Sequence, residues 1–148
     1  TKTMIGKIYA ERLIRAETAY FENEAEYLNL YSIIAYMTTH QMNLQSKYFD
    51  FIKNGTKRIE LRLYDEKRQQ IKLGDSIEFS KSENEKFKVR VIGLLRYETF
   101  SDLFNDFNIS VLADQSMTKQ ELLNVLQEFY TPEKQAQYGV LGIRLELL

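Results

Sequence analysis

The spacing of hydrophobic and polar positions changes near residue 38. Over residues 4–36 apolar side chains recur at helical intervals. Ile5, Ile8, Leu13 and Ala16 make a loose stripe, and Tyr27, Leu28, Leu30, Tyr31, Ile34 and Ala35 a denser one. Asn23 stands where it would cap the second of two helices, with Glu24 and Glu26 in the first turn that favours carboxylates. The pattern predicts an N-terminal helical extension over residues 1–37.

From residue 38 the period shortens toward two. Residues 40–44 alternate and predict a short strand, and residues 47–54 predict a helix that stops at Gly55. Residues 57–64 alternate most cleanly: Ile59, Leu61 and Leu63 fall on one face, Arg58, Glu60, Arg62 and Tyr64 on the other. A charged loop over 65–72 leads through Gly74 and Asp75 to a strand over 76–80. A second turn over 82–85 precedes a long strand over 86–97. Thr99 and Thr118 open two helices, the second through the capping box Thr118-Lys119-Gln120-Glu121, and Pro132 starts a further helical turn. Residues 140–148 predict a closing strand. About five mostly antiparallel strands with few helices imply an α+β fold that closes as a small β-barrel. The predicted division is an extension over 1–37 and a domain over 38–148.

Composition narrows the chemistry. The 148 residues include no cysteine and one histidine, His40, which excludes disulfides, thiolate metal sites and multi-histidine metal sites. His40 reads as a structural residue, because no nucleophile accompanies it. No apolar run approaches the roughly 20 residues of a membrane span, and no basic-then-apolar leader opens the sequence as given. The expectation is a cytoplasmic domain without membrane association, metal or cofactor. The net charge of −1 conceals a basic block over 42–97, 13 basic against 8 acidic residues, and an acidic one over 98–148, 3 against 8. A basic block attracts phosphate, unless the two blocks pack together and cancel.

The candidate chemistry gathers on the strand over 57–64. Alternation sets Glu60 and Arg62 on one face, with Cα atoms roughly 7 Å apart, within reach of one ligand or of each other. Arg62 offers a planar fork for a phosphate, a carboxylate or a base edge, and Glu60 an acceptor for an amine or a ribose hydroxyl. Lys57 has the opposite parity and joins them only if the chain turns there. Tyr64 and Tyr97 offer stacking surfaces or core packing, and Lys67 and Arg68 either meet a phosphate backbone or are solvated. On spacing alone Glu60 and Arg62 also fit an exposed ion pair worth under about 1 kcal/mol.

Gly55-Thr56-Lys57-Arg58-Ile59-Glu60-Leu61-Arg62 resembles the G-x-K-x-x-E-x-R signature of the ASCH domain family, a branch of the PUA-like superfamily. Its flanks are similar too: His40-Gln41-Met42-Asn43-Leu44 resembles the family's first strand, Leu73-Gly74-Asp75-Ser76-Ile77-Glu78-Phe79 its turn and strand, and Tyr138-Gly139-Val140-Leu141-Gly142-Ile143 its closing strand. The resemblance spans residues 38–148 and implies a β-barrel ringed by helices, with a cleft lined by the signature. It shifts the reading of Lys57, Glu60 and Arg62, with Tyr64 and Arg68 beside them and Gly55 as the turn, toward a site for RNA or a nucleotide-like small molecule. A branch of the family hydrolyses an acetylated cytidine nucleoside with a Lys, a Thr and a Glu. The Lys corresponds to Lys57, but Glu60 stands at the Thr position and Gln115, beside Asp114, near the Glu. An amidohydrolase of a modified nucleoside, using Lys57 and Glu60, is therefore the second expectation. The third is a protein-interaction module, such as a homodimer, through the N-terminal helices.

Overall fold

A computed structural model describes residues 38–148 and, before them, Ala25 alone. The helical extension expected over 1–37, with its Asn23 cap, lies outside the described residues, as does any dimer surface on it. The chain divides into two units, residues 1–39 and 40–148.

The described residues run β1 (Thr39–Asn43), α1 (Ser46–Lys53), β2 (Ile59–Leu63), a 3-10 turn (Arg68–Gln70), β3 (Ser76–Ser80) and β4 (Lys86–Tyr97). They continue with α2 (Phe100–Asp106), α3 (Ile109–Leu112), α4 (Lys119–Phe129), α5 (Pro132–Tyr138) and β5 (Val140–Leu147). The five strands form one sheet in the order β1-β3-β4-β5-β2. The β3–β4, β4–β5 and β5–β2 pairs are antiparallel. β1 runs parallel to β3, because His40 meets Asp75 at one end and Asn43 meets Ser80 at the other. The expected α+β fold of five mostly antiparallel strands with helices is therefore present; its sheet curls into a half-barrel, and one of its four pairings is parallel.

Local chemistry explains the boundaries. The Thr99 hydroxyl accepts from the Asp102 N–H at 3.1 Å and starts α2. Thr118 accepts from the Glu121 N–H at 3.1 Å, the N-cap arm of the expected capping box, and its hydroxyl donates to the Glu121 carboxylate, also at 3.1 Å, where a full box would have the Thr118 N–H do so. Pro132 occupies the first turn of α5, capped by Thr131. α1 ends through Gly55 at φ +86°, a left-handed conformation that glycine adopts without steric cost. α3 was not expected from the pattern; it is four residues long, capped by Asn108. A register shift between Val91 and Gly93 turns Ile92 outward, where it is 53% exposed.

The apolar residues form two buried clusters. Ile59, Leu61 and Leu63 of β2 pack with Phe100, Leu103, Phe104, Leu112 and Leu122 of the helices α2–α4. Ile77, Phe79, Val89, Val91, Leu141 and Ile143 pack with Phe49 and Ile52 of α1 in the other. At roughly 1.5–3 kcal/mol for each fully buried large aliphatic or aromatic side chain, these clusters supply the dominant stabilising term. The register pairs Glu60 with Ile143 and Arg62 with Leu141, so both polar residues share a face with the second cluster. That face of β2 looks into the half-barrel, while the Ile59/Leu61/Leu63 face is covered by helices. β2 is consequently buried on both sides, although its sequence alternates like a half-exposed strand. No helix among the described residues is long and apolar enough to cross a membrane.

Candidate functional site

β1 and β2 are the two edges of the sheet, and the signature residues lie where those edges approach. Arg62 Nη2 donates to the Asn43 carbonyl of β1 at 3.0 Å and to Glu60 Oε2 at 3.1 Å. Glu60 Oε1 accepts the Leu61 N–H at 2.9 Å and lies 3.5 Å from Lys57 Nζ. Lys57 precedes β2, and its side chain folds back along the strand to donate to the Ile59 carbonyl at 2.5 Å and the Leu112 carbonyl at 2.7 Å. The opposite parity of Lys57 is overcome because it lies outside the regular strand. The side chains of Lys57, Glu60 and Arg62 are 2%, 6% and 14% exposed, so Glu60 and Arg62 are far from the exposed ion pair that spacing alone also allowed.

Burial makes this chain of charges unusual. It would raise the Glu60 carboxyl, but the Arg62 and Lys57 charges and the Leu61 N–H outweigh it and hold Glu60 below its ordinary value. Burial pulls Lys57 below its ordinary value; the attraction of Glu60 compensates only in part, and the Arg62 charge adds to the depression. For Arg62 burial is overcome by Glu60 and by the Tyr130 phenol, which accepts from the guanidinium, so Arg62 is held firmly charged. Glu60 and Arg62 are thus both held in their charged forms, while burial works against the charge on Lys57.

The donor arithmetic narrows what a ligand can meet. The ammonium of Lys57 already has two carbonyls and a carboxylate around it. Both Nη2 protons of Arg62 are engaged, leaving Nη1 and Nε for Tyr130 and for a ligand. A two-pronged grip through Nη2 would require a partner to let go.

Lys57, Glu60 and Arg62 open onto a cavity of about 160 Å³, walled by Asn43, Leu44, Gln45 and Tyr48 on one side and Leu122, Val125, Leu126, Phe129 and Tyr130 on the other. Burial and the Glu60 charge raise the Tyr48 phenol above its ordinary value. The α4 wall and Tyr130 were missed in the sequence. The spacing of Leu122, Leu126 and Phe129 marks a helix face as core, and nothing in one sequence says that its last turn borders a cavity. Two larger hollows exist. One, of about 1300 Å³ between β4, α2, α4 and α5, is lined by Tyr97 but by none of the signature residues; another, of about 560 Å³, touches Gly55, Lys57 and Arg58.

The other predicted residues lie elsewhere. Tyr64 carries the Arg96 guanidinium 3.8 Å above its ring and packs at the margin of the second cluster. Arg68 pairs with Asp65 at 2.9 Å in the 3-10 turn. Neither lines the 160 Å³ cavity. Gly55 supplies the turn that brings Lys57 into place. His40 Nε2 is bonded to Asp75 Oδ2 at 2.8 Å, a link between β1 and β3. Tyr97 donates to Asp106 at 2.6 Å, and Asp114, depressed by its bonds from Ser116, lies with Gln115 outside the cavity lining. Among the described residues no cluster of His, Asp or Glu is arranged to hold a metal.

A small half-barrel, pinned across its two edges by a buried Lys–Glu–Arg chain beneath a helix-walled cavity, defines a PUA-like fold. The sequence profile of the ASCH domain matches residues 42–148. The chain belongs to the ASCH domain family. Among solved structures, the hypothetical protein PH0355 is 38% identical, with 76% of this chain and all of that one covered at a TM-score of 0.68. Protein PF0455 from Pyrococcus furiosus is 36% identical, with 74% of this chain and 97% of that one covered at a TM-score of 0.62. A mutant form of ZmASCH from Zymomonas mobilis shares the fold at 11% identity and a TM-score of 0.52, covering 73% of this chain and 67% of that one. No curated protein matches the sequence.

Proposed function

We propose that this protein binds RNA or a nucleotide-like small molecule in the cavity above Lys57, Glu60 and Arg62. The observation that carries the reading is the buried charge chain, which leaves one edge of the Arg62 guanidinium toward an apolar and aromatic cavity. Buried charges are expensive, and perturbed groups beside a cavity mark binding sites. Membership of the ASCH family points the same way. In this reading Arg62 binds the ligand, Glu60 keeps Arg62 oriented, and Lys57 fixes Glu60 while tying the start of β2 to Leu112.

The hydrolase alternative has weaker support. Glu60 is held ionised by two cations and an N–H, which makes it a poor proton donor, and the Lys57 ammonium is engaged by two carbonyls. A thermal-shift screen of the full chain against nucleosides, nucleotides and short RNAs tests the proposal, since a ligand of the folded state must raise its stability. The expected result is a shift that disappears in Arg62→Ala. A shift retained in that variant would put the binding elsewhere, and acetate release from acetylcytidine would restore the hydrolase.

A further inference from the structure

Phe129 is a large apolar residue that the fold leaves 52% exposed, and it stands on the wall of the same cavity as Arg62. Its neighbour Tyr130 does not stack flat on it: the rings are 6.5 Å apart and inclined by 56°. Tyr130 itself packs on the buried Phe100 at 5.6 Å and takes a hydrogen bond on its carbonyl from Gln135 at 3.1 Å, so it is held in position. The site thus has a fixed phenol, a charged guanidinium edge and an aromatic face that the described residues leave half exposed.

The cavity volume limits what enters. About 160 Å³ is well below the roughly 300–1,000 Å³ of pockets that enclose whole drug-sized ligands. A phosphate would meet Leu122, Val125 and Leu126 as walls and Arg62 as its one cationic partner, with the neutral donors of Gln45, Tyr48 and Tyr130 beside it, because Lys57 is already taken up by Glu60 and two carbonyls. A planar ring with an acceptor on its edge suits both parts, its edge toward Arg62 and Tyr130, its face on Phe129.

We infer that Phe129 is the stacking platform of the site and that the group taken into the cavity is one unpaired nucleobase, with its sugar and phosphate left at the mouth. The inference rests on the RNA- or nucleotide-binding reading of this cavity and adds the part of the ligand that is recognised. Recognition is then by the base, and a mononucleotide suffices.

The test titrates the full chain with the four nucleoside 5′-monophosphates, with ribose 5-phosphate and with a short single-stranded RNA. At least one mononucleotide binds and ribose 5-phosphate does not. Phe129→Leu, which keeps apolar bulk and helix propensity but removes the ring, weakens that binding about 5- to 150-fold, the range for loss of one base–aromatic stack. Phe129→Trp retains it. Equal binding of ribose 5-phosphate, or an unchanged affinity in Phe129→Leu, overturns the inference. RNA binding that depends on Arg62 without any mononucleotide binding also overturns it, while leaving the broader reading intact. Failure of every probe removes both.

Discussion

Replacing Glu60 by Gln keeps the shape of the side chain and deletes its charge, leaving Lys57 and Arg62 as two buried cations without a counter-ion. The Lys57 side chain is 2% exposed and that of Arg62 14%, so water does little to screen them. Removing one partner of a buried ion pair costs about 3–5 kcal/mol, much more than loss of a surface pair. For a unit of this size that corresponds to a fall in Tm of roughly 10–20 °C. Urea denaturation of wild type and Glu60→Gln at pH 7, followed by circular dichroism, reads the difference directly. The pH dependence supplies the sign. Glu60 has its folded pKa depressed, so its contribution is complete above the unfolded carboxyl pKa and is lost as pH falls through the folded value. The gap between wild type and variant therefore closes in acid. Combining Glu60→Gln with Lys57→Met is less destabilising than the sum of the single changes, because the second removes a cation that the first stranded. A single variant within about 1 kcal/mol of wild type at pH 7, or strict additivity, would refute the reasoning that these charges depend on one another.

The remaining predictions concern neighbouring parts of the molecule. Lys57 has its folded pKa depressed, so the cost of burying its charge is relieved as pH rises from the folded toward the unfolded value; urea denaturation across alkaline pH is expected to show a gain in stability for wild type that is absent from Lys57→Met. Gly139 has φ +71° and ψ −177°, and an added Cβ would lie 3.2 Å from the Tyr97 carbonyl, so Gly139→Ala destabilises by about 1–3 kcal/mol in thermal unfolding. Thr118→Ala removes both Thr118–Glu121 bonds and costs about 1 kcal/mol, with little change in ligand affinity because Thr118 is outside the cavity lining; a large affinity loss would implicate the start of α4 in binding.

Much of the fold was legible because its elements carry local signals. The alternation through Ile59, Leu61 and Leu63, the Thr118 N-cap and the glycine after α1 each correspond to what the chain forms. The short α3 had too few residues to show a period, and the parallel β1–β3 pair depends on contacts 35 and 37 residues apart. Lys57, Glu60 and Arg62 were legible as a set because one strand and its entry turn carry all three. Their burial was not, because a polar face on a strand looks the same in sequence whether it meets water or the inside of a half-barrel. Asn43, Leu112 and Tyr130 complete the site from three other segments, and their roles arise only when the sheet curls its edges together. Tyr64 and Arg68 had the right residue types on the right stretch, but the chain leaves β2 after Leu63 and carries them to Arg96 and Asp65.

The central claim is that a ligand is held through the free edge of Arg62 in the cavity between β2 and α4. Amide NMR of the full chain, titrated with a short single-stranded RNA and with nucleoside monophosphates, tests it most directly. The account predicts shifts concentrated at Asn43, Tyr48, Arg62 and Tyr130 in wild type, and their loss in an Arg62→Ala protein whose spectrum otherwise remains folded. Shifts confined to the hollow around Arg96, Ser101 and Gln137, unchanged by Arg62→Ala, would contradict it.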